Sequence, residues 1–408
     1  LSGRVKTLHP KIHAGILSKR KLKAHKNDLK KNNYNEIDLV IVNFYPFEKT
    51  LKQSKNHEKI LENIDIGGPT LVRAAAKNYN YVTVVTSISQ YEELIKNLNE
   101  NKGATSLEFR KKAALEAFGE TAYYESLIFN YFKDILPNEN SKKIILGLSK
   151  FEKLRYGENP HQSGTIYTRS KNLGLEKLNG KQLSYNNYAD IFSALQISKS
   201  FPNNKGTVIV KHGNPCGASI HKNNNESFLM AHKCDPVSSF GGIVSCNFKI
   251  NRSLALKLNK LFFEVIIGNG FDNDALSILK TKKNVRIINS KNYEIFSKNN
   301  LISNMHFALA QTSDDKKFTI SDFKIVSKVR PSRKTFENLI FAFNVCRFVK
   351  SNAIVLTNNN STVGIGSGQP SRLDSCEIAL NKMKKFNHKT ENLVAASDAF
   401  FPFVDGIE

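Results

Sequence analysis

Along this chain short apolar runs alternate with stretches of helical period almost throughout, a pattern that predicts α/β architecture. Residues 37–43, "IDLVIVN", read as a buried strand that ends in an Asn-x-Tyr-Pro turn. A helix is predicted over 71–78, a second strand over 81–86 and another helix over 91–98. Residues 106–134 carry a long helical pattern with a break expected near Gly119. The stretch "LPNENS" that follows is the best linker in the chain and sets a boundary near 137–150, giving one domain over 1–140 and a second over 141–408.

The second region opens with predicted strands over 143–148 and 164–167. A pattern then occurs twice: a strand, a glycine turn entering a helix, and later an Asp with an aromatic residue five positions on. The first copy is 208–210, 213–217 and Asp235 with Phe240; the second is 353–356 with Val363, 364–368 and Asp398 with Phe403. Two related subdomains are inferred.

Composition narrows the class. A chain of 408 residues can bury more than one core, and no apolar run approaches the ~18 residues of a membrane span. The opening "LSGRVKT" has no signal-peptide pattern and no initiator Met, so a missing piece is expected. The five cysteines, Cys216, Cys234, Cys246, Cys346 and Cys376, are widely spaced and suit a reducing cytoplasm. The formal charge of +24 is mostly Lys scattered along the whole chain, which argues against a nucleic-acid footprint and for a field that favours small anionic substrates.

Five polar constellations stand out. In "GRVKTLHPKIHAGIL", Arg4, Lys6, His9, Lys11 and His13 alternate with apolar residues, as a phosphate cradle or a solvated strand face would. In "NIDIGGPTLVRAAAK", Gly67-Gly68-Pro69 marks a helix start able to attract anions, Asp65 stands just ahead of it, and Arg73 and Lys77 share a face. "LRYGENPHQ" displays Arg155, Tyr156, Asn159 and His161 on a loop, suited to a phosphate and a flat ring or to plain loop hydrogen bonding. "VGIGSGQPSR" has Gln369 where a dinucleotide fingerprint needs its third glycine, so a nicotinamide site is disfavoured, while an anion or ring pocket ahead of Arg372 stays open.

The fifth, "IVKHGNPCG", admits a metal site, a nucleophilic cysteine, a base beside a fixed cation, or an ordinary strand end. Pro215-Cys216 lacks the second cysteine of a zinc-deaminase turn, Ser219 standing in its place, so a complete metal site is not expected. Lys211 beside His212 leaves a proton acceptor next to a cation.

Together "GRVKTLHPKIHAGIL", "VNFYPFEKT", "IDIGGPTLVRAAAKN", "RYGENPHQ", "VKHGNPCG", "DPVSSFGG", "KSNAIVL", "GIGSGQPSR" and "SDAFFPF" resemble, in that order, the bifunctional purine-biosynthesis family that joins AICAR transformylase to IMP cyclohydrolase. The resemblance implies a methylglyoxal-synthase-like domain followed by two cytidine-deaminase-like α/β subdomains, usually in a homodimer. It implies 10-formyltetrahydrofolate as formyl donor, AICAR, formyl-AICAR and IMP as ligands, no catalytic metal, and no nucleic-acid or membrane partner. His212 would be the general base for attack of the AICAR amine, and Lys211 the cation that stabilises the transition state. Arg155, Tyr156, Phe240, Gly241, Glu264, Asn352, Arg372 and Phe400 would line the nucleotide and folate sites; some relatives carry Asp at the place of Glu264.

For ring closure the resemblance implies that Arg4, Lys6 and Thr7 bind the nucleotide while Asn43, Tyr45, Asp65 and Lys77 surround the closing ring, Lys77 carrying the proton and Asp65 orienting the amide. The family pattern opens with a further strand, loop and helix, and it continues past "SDAFFPFVDGIE", so both ends are expected to be lacking here. Pro370 in "GQPSR" is a smaller departure. An RNA-binding protein on a degraded enzyme scaffold and a metal deaminase are the other classes that the composition and the Pro-Cys turn leave open.

Overall fold

The computed structural model describes residues 5–136, 141–169, 172–294, 299–303 and 306–401. Arg4 and Phe403, named above, lie outside them. The chain divides into two compact units, Leu1–Ser149 and Lys150–Glu408.

The first unit runs α1 (Pro10–Leu17), α2 (Lys23–Lys31), β1 (Leu39–Ile41), α3 (Phe47–Gln53), α4 (His57–Glu62), α5 (Gly67–Lys77), β2 (Thr83–Val85), α6 (Tyr91–Glu100) and α7 (Leu107–Ile135). β1 and β2 pair in parallel, Val40 against Val84. Ala74, Ala75 and Ala76 on α5 and Ala113, Ala114 and Ala117 on α7 let the two helices approach closely over that pair. Residues 8–13 are not a strand face: Pro10 opens α1 and the His9 imidazole caps it by accepting the Lys11 N–H. Nor does Gly119 break α7, where the helix continues unbroken; an exposed helical glycine costs only about 1 kcal/mol against alanine.

In the second unit β3 (Ser149–Lys153) and β4 (Thr165–Thr168) form a two-stranded sheet, so the strand expected over 143–148 begins later. β5 (Glu176–Asn179) and α8 (Tyr185–Ser200) lead into a hairpin of β6 (Gly206–Lys211) and β7 (Asn214–Ile220), then α9 (Asn224–Cys234), α10 (Pro236–Ser239), β8 (Ile243–Cys246), α11 (Arg252–Asn259), β9 (Val265–Gly268), α12 (Asn273–Lys280) and β10 (Arg286–Asn289). β11 (Asn299–Ser303) and β12 (Ala308–Thr312) form a separate hairpin. α13 (Arg333–Cys346), β13 (Ile354–Asn358), β14 (Ser361–Gly366), α14 (Arg372–Lys385) and β15 (Val394–Ser397) complete it.

Nine strands make one sheet in the order β15-β13-β14-β7-β6-β8-β9-β10-β5. Its central strands are buried on both faces, which is why they read as unbroken apolar runs. Val208 and Val210 of β6 enter one core and Ile209 the other. About the β14-β7 seam the inner strands mirror one another, β14-β13-β15 answering β7-β6-β8, while β9, β10 and β5 extend one side. Each half carries helix, hairpin, helix: α8-β6-β7-α9 and α13-β13-β14-α14.

This symmetry corrects two readings of the sequence. Cys216 and Gly217 lie on β7, and Gly364 and Gly366 on β14, so neither glycine run is a turn entering a helix. The turns are His212-Gly213 and Asn359-Asn360, all four residues with φ between 48° and 74°; such left-handed pairs match the twist of two-residue hairpins. Gly217 then corresponds to Gly364. A Cβ on Gly217 would strike the Ala231 carbonyl of α9, and one on Gly364 the Ala379 carbonyl of α14.

Candidate active sites

In the second unit the candidate residues converge on one end of the nine-stranded sheet. There β6 ends at Lys211, paired with Asn214, while Val210 faces Ile243, Ile243 faces Val265, and Val265 faces Arg286. Across the seam, β14 ends at Gly366 opposite Ile354, which also faces Ser397. The Lys350 N–H donates to Asn214 Oδ1 at 3.1 Å and ties the two halves at this end.

Lys211 Nζ donates to the Phe240 carbonyl at 2.8 Å, so its ammonium bridges the end of β6 and the turn before β8. Gly241 takes φ 74° in that turn and donates to the Phe262 carbonyl, while the exposed Phe240 ring rests on Phe262 at 5.1 Å. His212 is exposed at the hairpin tip. Glu264 precedes β9 and accepts from Asn187 Nδ2 at 2.9 Å, with the Arg286 guanidinium 3.7 Å away. Arg155 stacks over Tyr156 at 5.5 Å on the loop expected from sequence, and Asn186 of α8 holds that loop through the Glu158 carbonyl at 3.1 Å.

At the far side of the same end lies an arginine knot. Arg372, just after the cap of α14, donates to Asp398 Oδ1 at 2.6 Å, to Ser397 Oγ at 2.6 Å and to Asn352 Oδ1 at 2.8 Å. Asn352 uses its amide nitrogen on the Gln369 and Pro370 carbonyls at 2.9 and 2.8 Å, so Pro370 sits in the turn that forms the knot. Burial opposes ionisation of Asp398, but Arg372, the Ser351 hydroxyl and the Ala353 N–H outweigh it and hold its carboxyl below the usual carboxylate range. Phe400 projects next to it with 81% of its surface exposed.

Asp235 and Asp398 are therefore not counterparts. Asp235 is 2% exposed, caps α10 through Ser238 and pairs with Lys382 of α14 at 2.8 Å, and it precedes β8 whereas Asp398 follows β15. Cys216 is buried and its thiol is pushed up to about 12, first by burial and then by Asp235; such a thiol is a poor nucleophile or ligand. Among the described residues no group of three or more His, Cys, Asp and Glu could hold a metal ion.

In the first unit the start of α5 gathers a second cluster. Asp65 Oδ1 accepts the Gly68 N–H at 2.8 Å and Oδ2 the Tyr45 N–H at 3.4 Å, while the Asp65 N–H donates to Tyr124 Oη at 2.7 Å. Thr7 Oγ1 fills the space that a Cβ on Gly67 would need. Lys6 is exposed in the turn before α1, and Asn43 donates to Tyr91 Oη at 3.3 Å. Lys77 is not in this cluster. It ends α5, and at about 1.5 Å per residue the helix sets it about 15 Å from the Gly67 end.

Sequence reasoning did not find Asn187, Asp190, Arg286 or Ser397. None of the four carries a local signal, because the partner of each lies far along the chain.

The α/β chain thus carries two polar clusters, one at the start of a helix beside a parallel strand pair and one at the end of a nine-stranded sheet. Residues 3–70 match the MGS-like domain, and residues 75–382 match the family described as AICARFT/IMPCHase bienzyme. The chain belongs to that family. It is 42% identical over 417 residues to the bifunctional purine biosynthesis protein PurH of Caldicellulosiruptor saccharolyticus, covering 100% of this chain and 80% of that protein. Identity to the PurH protein of Aquifex aeolicus is 40% over 413 residues, and to that of Prochlorococcus marinus strain MIT 9215 it is 42% over 423, with the same coverage.

Proposed function

We propose that the sheet-end site of the second unit performs formyl transfer and the α5 site of the first performs ring closure. The chain is a bifunctional phosphoribosylaminoimidazolecarboxamide formyltransferase and IMP cyclohydrolase, catalysing the last two steps of IMP synthesis with 10-formyltetrahydrofolate as cosubstrate. The observation that carries the assignment of the first step is the meeting of Lys211, His212, Phe240, Glu264, Asn352 and Arg372 at one sheet end.

The AICAR amine is conjugated with its ring and is a weak nucleophile. His212 takes its proton as the nitrogen attacks the formyl carbon, the C–N bond to the folate nitrogen breaks, and that nitrogen leaves with a proton. Lys211 supplies positive charge where the tetrahedral oxygen becomes negative. Arg372, oriented by Asp398 and Ser397, keeps its remaining N–H groups for the nucleotide, and Arg155 with Tyr156 offers a cation and a flat face.

For ring closure the carboxamide nitrogen attacks the new formyl carbon and water leaves. Asp65 orients the amide, with Thr7, Lys6, Tyr45 and Asn43 around it. Lys77 as the proton carrier and Arg4 as a nucleotide contact are assigned by their motifs alone. Lys77→Ala is expected to slow conversion of formyl-AICAR to IMP by about 100-fold or more while formyl transfer stays within about 2-fold. Loss of formyl transfer first would reverse the division between units.

The exposed β11-β12 hairpin supports a homodimer. Ile302 is 70% and Leu309 63% exposed, and a two-stranded hairpin is marginal without cover. Five buried cysteines outside any disulfide fit a cytoplasmic setting, and no helix among the described residues is long and apolar enough to cross a membrane.

A further inference from the structure

Asp190 lies outside every motif noted in the sequence, midway along α8. Its Oδ1 accepts the Gly213 N–H at 2.6 Å and its Oδ2 the His212 N–H at 3.2 Å. One carboxylate thus takes both amides of a turn whose φ values, 54° and 74°, are left-handed. Ser193, one helical turn on, donates to the Gly213 carbonyl at 3.2 Å.

The second half of the sheet shows what the fold alone requires at this place. There Asn338 of α13 holds the corresponding turn, its Oδ1 accepting the Asn360 N–H at 3.0 Å. Its remaining contacts go to Thr357 and Asn392, and it is buried. A neutral amide holding one turn N–H is therefore enough to build the helix-hairpin unit. A charged, two-amide clamp appears at the hairpin that carries His212.

We propose that Asp190 is a positioning residue for formyl transfer: it fixes the backbone of His212 and Gly213 so that the imidazole and the Lys211 ammonium address the same reacting atoms. This rests on the assignment of His212 as the base. Charge-assisted bonds to both amides are stronger than neutral ones. An amide in place of the carboxylate would hold one N–H and set its own NH2 against the other. A base displaced by about 1 Å can lose about 100-fold in rate.

Steady-state kinetics of Asp190→Asn, Asp190→Glu, His212→Ala and the double variant Asp190→Asn/His212→Ala test it. For Asp190→Asn the expected result is a kcat for formyl transfer about 10- to 100-fold lower with KM for AICAR within about 2-fold. Ring closure from formyl-AICAR should be unchanged. Asp190→Glu should recover part of the lost kcat, and in the His212→Ala background Asp190→Asn should cost less than about 3-fold, because it acts through the missing imidazole.

An unchanged kcat overturns the proposal, as does a raised KM with unchanged kcat, or an equal loss with and without His212. Near-normal turnover of Asp190→Asn beside an inactive His212→Ala sinks this inference alone. Near-normal turnover of His212→Ala sinks the base assignment beneath it.

Discussion

The two hairpins of the large sheet, β6-β7 and β13-β14, have the same backbone and different work. Both turn through two left-handed residues, and both place a glycine where a helix carbonyl presses on the strand. Yet β7 and β14 run antiparallel across the seam, so equivalent turns fall at opposite ends of the sheet. The site takes the hairpin tip of one half and the helix start of the other. Duplication supplied two copies of a scaffold, and geometry allowed only non-equivalent ends to meet.

The largest test of that asymmetry compares the turns directly. His212→Ala is expected to lower formyl transfer about 100- to 10,000-fold, whereas Asn359→Ala, at an exposed position of the other turn, should change it less than about 2-fold. Equal losses measured by steady-state kinetics would mean that both sheet ends serve the reaction.

Where the halves are alike, changes should cost alike. Gly217→Ala and Gly364→Ala each drive a methyl into a helix carbonyl, and each should destabilise the second unit by about 1–3 kcal/mol in urea titration. A large cost at one and none at the other would undo the structural equivalence.

A smaller effect is expected at Asp398 in the arginine knot. The Asp398 carboxyl is depressed in the folded state, so the knot contributes stability above the ordinary carboxylate pKa of about 4, which is lost as pH falls through the lower folded value. Asp398→Asn should remove that part of the acid sensitivity and raise KM for AICAR, by loosening Arg372. If KM and the acid limb are both unchanged, Arg372 does not depend on Asp398.

The smallest effect expected is at Cys216. Buried on β7 with a thiol pushed up to about 12, it should tolerate Cys216→Ala with most formyl transfer retained, and chelation of the purified protein should not reduce turnover. Stoichiometric zinc whose removal abolishes activity would contradict this.

Much of this was legible in the sequence where a local rule decides it. The start of α5 at Gly67-Gly68-Pro69 and the display loop of Arg155 both follow from turn and cap chemistry. The hairpin at His212 was misread because Pro215 and the glycines signal a turn. Pro215 instead sits opposite Val210, where the strand register shifts, and such an irregularity tolerates a proline within a sheet. Pairing across the seam joins residues 142 positions apart, Ser219 with Ser361, and no local pattern encodes it. Asp190 was silent for a related reason: an acidic residue in mid-helix looks like surface until its partner is known.

If two separate sites in one chain make and close formyl-AICAR, disabling one leaves the other at work. The direct measurement is IMP formation by His212→Ala supplied either with AICAR and 10-formyltetrahydrofolate or with formyl-AICAR. No appreciable IMP is expected from the first mixture and the wild-type rate from the second; IMP from AICAR at near-normal rate, or equal failure with both, would rule out two separate sites.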